Sequence, residues 1–164
     1  MLRKLKPDIF AATLLDIPLD ELKKRGIKGL VIDLDNTLTK WNSCEINPEI
    51  YSWLKELKEM DFRICIVSNN DVGRLRGFME DLQIPYISNA FKPGKSAFVK
   101  AMQLLNSGPA KTAVIGDQLF TDILGGKRLG CFTILVTPLS QREFIGTKIM
   151  RKIERLLLKK MLQI

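Results

Sequence analysis

The chain contains no histidine. That absence excludes Ser-His-Asp and Cys-His nucleophilic catalysis, histidine metal sites and histidine phosphorylation. Acid–base work falls instead to carboxylates, lysine or a metal-bound water. Cysteine is scarce. Cys44, Cys65 and Cys131 form an odd, widely spaced set, neither a disulfide framework nor a zinc spacing. Cys65 and Cys131 lie in apolar runs and read as small packing residues in a reducing compartment. Long hydrophobic runs are also missing. Nothing approaches the roughly 20 residues that a membrane-spanning helix needs. The apolar stretch 9–15 is bracketed by Asp8, Asp16 and Pro18, and no signal peptide is read there. Aromatic residues make up 7% of the chain and offer no evident platform for stacking bases.

What is present fits one globular domain over 1–164: 46% hydrophobic and 27% charged residues, with length enough for a core. Lysine and arginine outnumber acids 26 to 18, a net charge of +8. That excess suits phosphorylated substrates, nucleic acid or acidic lipid headgroups, and equally a solvated lysine-rich surface.

The chain is organised around 29–39, Gly-Leu-Val-Ile-Asp-Leu-Asp-Asn-Thr-Leu-Thr. The apolar run at 30–32 reads as a strand buried on both faces. It ends in Asp33 and Asp35, a crowded pair that a divalent cation would offset. Residues 1–28 read as a lead-in with a short helix after Pro18 that stops at Gly26. Asn47-Pro48-Glu49 is a helix start, followed by an apolar face of Ile50, Trp53, Leu54 and Leu57. Further strands are read at 62–67, 85–88, 112–115 and 132–136, with helices between them. Asp71 is read as the cap of the second helix, and the fourth helix is read from about 121–122 to Gly130. The expectation is a three-layer, Rossmann-like α/β sandwich with a five-stranded parallel sheet. The tail 141–164 reads as a basic amphipathic helix. Ile145, Ile149, Ile153, Leu156, Leu157 and Met161 are its apolar residues; Lys148, Arg151, Lys152, Arg155, Lys159 and Lys160 are its cations. Such a helix either docks its apolar face on the sheet or lies on an anionic membrane, and the two can coexist.

In a parallel sheet the strand ends carry the chemistry. The first gives Asp33 and Asp35, the second Ser68 and Asn69, the loop after the third Lys92, and the fourth Asp117 with Asp122 five residues on. Carboxylates from two strands suit Mg²⁺. A hydroxyl and an ammonium beside them suit a phosphate. One carboxylate can form an acyl phosphate while the other moves the proton.

Asp33-Leu34-Asp35-Asn36-Thr37-Leu38, Val67-Ser68-Asn69, Lys92-Pro93 and Val114-Ile115-Gly116-Asp117 resemble the four motifs of the haloacid-dehalogenase-like (HAD) phosphatase superfamily. The stretches 29–38 and 116–122 look like its YqeG-type IIIA subfamily, related to mitochondrial phosphatidylglycerophosphate phosphatases. The resemblance covers roughly 5–155. It implies a phosphoric monoester hydrolase without a large cap domain. In that scheme Asp33 is the nucleophile and a Mg²⁺ ligand. Asp35 is the general acid/base, with its carbonyl on the metal. Ser68 and Asn69 bind the phosphate, Lys92 offsets charge, and Asp117 completes the metal site. Many relatives place the last acid four residues after the first. Asp122 therefore either binds metal, through water, or caps the fourth helix. Lys95 is a reserve for Lys92. Thr37 is either a phosphate contact or a turn hydroxyl, and Trp41 either lines the entrance or packs its loop. Trp53 reads as core.

The intervals between motifs leave no room for an enclosing cap. An open site favours a phosphate carried on something large, and a phosphatidylglycerophosphate headgroup leads. The expected setting is cytoplasmic, with a peripheral place at the inner membrane face through the tail. Two other classes stay open: a HAD-fold binding module docking on RNA or a ribosomal particle, and a phospho-acceptor switch. The oligomeric state is not legible.

Overall fold

The computed structural model describes residues 5–140 and 145–162. Its elements are β1 (Ile9–Ala11), α1 (Leu19–Lys24), β2 (Gly29–Ile32), α2 (Pro48–Glu59), β3 (Arg63–Val67), α3 (Arg76–Asp81), β4 (Tyr86–Ile87), α4 (Lys95–Leu104), β5 (Thr112–Gly116), α5 (Leu124–Leu129), β6 (Phe132–Val136) and α6 (Ile145–Leu162). The strands form one parallel sheet in the order β1-β6-β5-β2-β3-β4. The sheet has six strands, one more than the periodicity predicts. The extra strand is β1, inside the supposed lead-in. It is three residues long and lies at the edge. Its pairing is fixed from outside: Asp8 accepts from the Thr133 amide at 2.7 Å and pairs with Lys127 at 2.6 Å. No alternation within three residues could announce it.

The side chains of β2 alternate. Leu30 and Ile32 join a core made with α1, α2 and α3, while Val31 joins a second core with α4. Helices therefore cover both faces, giving three layers. As predicted, Asn47 Oδ1 accepts from the Glu49 amide at 2.8 Å and Pro48 opens α2. Ile50, Trp53, Leu54 and Leu57 are its buried face. Asp71 accepts from the Gly73 amide at 2.9 Å, ahead of the turn that leads into α3. Gly130 ends α5 in the left-handed region at φ 81°.

The tail departs from its predicted face. Leu157 and Leu158 pack against Leu5, Leu119, Ile123 and Leu135. Ile153 and Leu156 are exposed, whereas the charged Arg151 and Glu154 are buried. Residues 141–144, and the side chains of Ile145, Ile149 and Met161, lie outside the described residues. Among the described residues no helix is long and apolar enough to cross a membrane.

Candidate active site

Central β2 lies between β5 and β3, the point where a doubly wound sheet opens a crevice at its carboxyl edge. Each predicted residue follows a strand at that edge. Asp33 follows β2, Ser68 follows β3, Lys92 lies beyond β4, and Asp117 follows β5. Asp33, Asp35, Ser68, Lys92, Asp117 and Asp122 are all buried.

Asp33, Asp117 and Asp122 gather, each offering one oxygen within 4.8 Å of the others. Lys92 Nζ bridges two of them, donating to Asp33 Oδ1 at 2.5 Å and Asp122 Oδ1 at 2.6 Å. Burial alone would lower the lysine's pKa, but Asp122 and Asp33 outweigh it and hold the pKa above the usual range. Burial raises the Asp33 pKa well above the carboxylate range; Lys92 opposes that shift, and Asp122 and Asp117 reinforce it. Burial also lifts Asp117 to about 6, against the pull of Arg151. Lys95, the reserve cation, sits exposed at the start of α4.

Asp122 reaches the cluster because of its local backbone. A five-residue π-helical turn, Leu119–Ile123, precedes α5. Gln118 O accepts from the Asp122 amide at 3.1 Å and the Ile123 amide at 3.3 Å. The wider turn absorbs the one-residue departure in spacing. Asp122 Oδ2 also accepts from the Gln118 amide at 3.2 Å, so the side chain braces its own turn while facing the cluster. Gly116 makes this approach possible, since a Cβ there would overlap the Asp122 carboxylate.

Asp35 stands apart. Its carboxylate accepts from Arg74 at 2.6 Å, the Asn42 amide at 2.9 Å, Asn70 Nδ2 at 3.0 Å and Ser68 Oγ at 3.4 Å. Arg74 is itself fixed by Ser43 O at 2.9 Å and Asp71 O at 2.6 Å. Arg74 and Asn70 escape sequence reasoning, because an arginine on a short helical turn and an asparagine in a polar loop carry no spacing signal. Asn69, predicted at the phosphate, meets the Lys92 loop. Its amide is engaged at both ends by the Lys92 main chain, accepting from N at 2.7 Å and donating to O at 3.3 Å. It holds the lysine loop in place. Thr37 Oγ1 donates to Asp117 Oδ1 at 3.2 Å, making the threonine a partner of the acidic cluster. Trp41 is partly exposed beside this loop and Trp53 is core. Arg151 and Glu154 were also missed: Arg151 pairs with Asp117, and Glu154 accepts from the Phe120 amide at 3.1 Å. The sequence marks them only as part of a charged helix.

The donor set fits a hard divalent cation. Three carboxylates converge, and Asp33 Oδ2 is buried with no hydrogen-bond partner among the described residues. Oxygen-only ligation is what Mg²⁺ takes, and burying three acids together needs positive charge.

Residues 2–139 match the model of the family described as mitochondrial PGP phosphatase. A protein of Bacillus subtilis (strain 168) described as probable phosphatase YqeG is 41% identical over 152 residues, covering 93% of this chain and 88% of that one. The phosphatidylglycerophosphate phosphatase 1 of Arabidopsis thaliana, chloroplastic/mitochondrial, is 29% identical over 168 residues. That match covers 96% of this chain and 48% of the relative, so the chain spans about half its length. Among solved structures, the cobalt-bound deoxy-D-mannose-octulosonate 8-phosphate phosphatase (YrbI) of Haemophilus influenzae shares the fold. Its TM-score is 0.57 at 19% identity, over 84% of this chain and 90% of that one. The chain belongs to the mitochondrial PGP phosphatase family and is a phosphatase with the haloacid-dehalogenase-like fold.

Proposed function

We propose that this phosphatase hydrolyses a phosphomonoester on a large, surface-presented substrate, phosphatidylglycerophosphate first, through an aspartyl-phosphate on Asp33. The observation that carries this reading is the contact of Lys92 Nζ with Asp33 Oδ1 at 2.5 Å, beside Asp117 and Asp122 at an open sheet edge. Asp33 attacks phosphorus and the bond to the substrate oxygen breaks. The leaving oxygen takes its proton from Asp35. Water then attacks the phosphoryl group, gives its proton to Asp35, and inorganic phosphate leaves as Asp33 is regenerated. Lys92 would offset charge between Asp33 and the phosphate, and Ser68 would donate to phosphoryl oxygens. Asp33, Asp117, Asp122 and the Asp35 carbonyl would hold Mg²⁺, which neutralises developing phosphoryl charge when bound.

Three features favour a large substrate. The β2–β3 and β3–β4 intervals carry only loops with α2 and α3. Phe91, next to Lys92, is 83% exposed. Met150, Ile153 and Leu156 form an exposed stripe on α6, beside the exposed Lys152. Such an exposed apolar stripe beside a lysine suits an anionic lipid surface at the inner membrane face. The test is phosphate release from phosphatidylglycerophosphate in mixed micelles, with and without Mg²⁺. Robust Mg²⁺-dependent release supports the lipid reading. Cleavage of a generic aryl phosphate alone keeps the phosphatase and discards the lipid.

A further inference from the structure

The match to the family model ends at residue 139, so α6 lies outside it. Yet α6 sends a buried guanidinium to the acidic cluster. Arg151 pairs through one nitrogen with Asp117 Oδ2 and donates through the other to Asp117 O at 2.9 Å. The other carboxylate oxygen, Oδ1, accepts from Thr37. Asp117 is thus gripped from both sides, by the loop after β2 and by the tail. Glu154, one turn on, accepts from the Phe120 amide at 3.1 Å and comes within 4.0 Å of Arg151. Leu157 and Leu158 complete the docking.

We infer that Arg151 shares Asp117 with the metal ion and sets how tightly that ion is held. This rests on the metal reading given above. A guanidinium keeps its charge throughout the accessible pH range. It cannot step aside by losing a proton, and Arg151 is buried together with the acids it faces. A divalent cation drawn to the same carboxylate meets that charge at short range, where water screens poorly. Arg151 also supplies order, since its two contacts fix the Asp117 carboxylate relative to its own main chain. It is therefore a positioning residue: it aims a metal ligand and moderates the ligand's pull. The tail gains a role at the site that its amphipathic pattern does not announce.

The experiment is Mn²⁺ titration by electron paramagnetic resonance on the full chain, without substrate. Wild type is compared with Arg151→Gln, Arg151→Lys and Glu154→Gln. Arg151→Gln keeps a hydrogen-bond donor but removes the charge, and it should bind Mn²⁺ roughly tenfold more tightly. Arg151→Lys restores the charge and should return the affinity to near wild type. Glu154→Gln alters the contact of α6 with the Phe120 amide while leaving the cation, and should not tighten binding. Thermal melting in metal-free buffer confirms that each variant folds. Equal or weaker binding by a folded Arg151→Gln overturns the inference while leaving the phosphatase reading intact. Equal tightening by Glu154→Gln also overturns it, because the effect would then belong to helix docking. Absence of Mn²⁺ binding in every protein overturns both this inference and the metal site it rests on.

Discussion

The Arg74 guanidinium lies 2.6 Å from Asp35 Oδ1, and the two side chains are only 15% and 11% exposed. In the proposed mechanism, the acid that delivers the proton is held beside a fixed cation. The cation holds the Asp35 carboxylate among Arg74, Asn42, Asn70 and Ser68, while Asp33 meets Lys92, so the two carboxylates of one loop have different partners. Arg74→Ala should lower kcat by roughly tenfold to a hundredfold, the scale of a misplaced general acid. Arg74→Gln, which can still donate, should lose less. Steady-state kinetics on an aryl phosphate read both, and an unchanged kcat in Arg74→Ala would remove the residue from the reaction.

Gly116 should tolerate no side chain. Gly116→Ala places a methyl group in the space of the Asp122 carboxylate. Either β5 shifts or Asp122 leaves Lys92. Overpacking of this kind costs about 1–3 kcal/mol, and the fall should appear in urea denaturation. Metal affinity should fall with it in a calorimetric titration.

Much of this site is legible before folding, because apolar runs that end in acids, serine or lysine mark strand ends. Asp33, Ser68, Lys92 and Asp117 sit where the runs predict. Less legible are partners whose meaning depends on distant backbone. β1 exists through Asp8 and β6, and Arg74 through Ser43 and Asp71. Asn69 meets the Lys92 main chain through a loop conformation that periodicity does not encode. Arg151 looks like a solvated cation until α6 is placed against Asp117.

Glu154 gives a pH signature. Burial lifts its pKa from 4.5 to about 7, with the Phe120 amide and Arg151 pulling the other way. A carboxyl with a raised folded pKa binds more protons folded than unfolded. Stability therefore falls as pH rises from about 4.5 to 7, and the loss is complete above that window. Asp117 is also raised, from 3.8 to about 6, so the metal-free protein should lose further stability over that overlapping range. Glu154→Gln should flatten part of that slope, by roughly 2 kcal/mol between pH 5 and 8. Urea melts in EDTA at the two pH values provide the comparison; an identical slope would show that Glu154 ionises freely.

The cysteines should divide by burial. Burial pushes the Cys65 thiol up to about 12, against a small pull from Lys100, and Cys131 to about 11. Both stay protonated at pH 8, whereas Cys44 is exposed. Iodoacetamide should modify one thiol in the native protein and all three in denaturant, as intact mass shows. Rapid native labelling of Cys65 would mean that the face between β3 and α4 opens readily.

The most direct measurement is capture of the phosphorylated intermediate. Enzyme, Mg²⁺ and an aryl phosphate are mixed, quenched in acid within one turnover, digested and mapped by mass spectrometry. A hydroxylamine-labile phosphoryl group should appear on the peptide that carries Asp33. In Asp33→Asn it should be absent, with phosphate release down about a thousandfold or more. Undiminished release by Asp33→Asn, or wild-type turnover with label on a different residue, would contradict a nucleophilic Asp33.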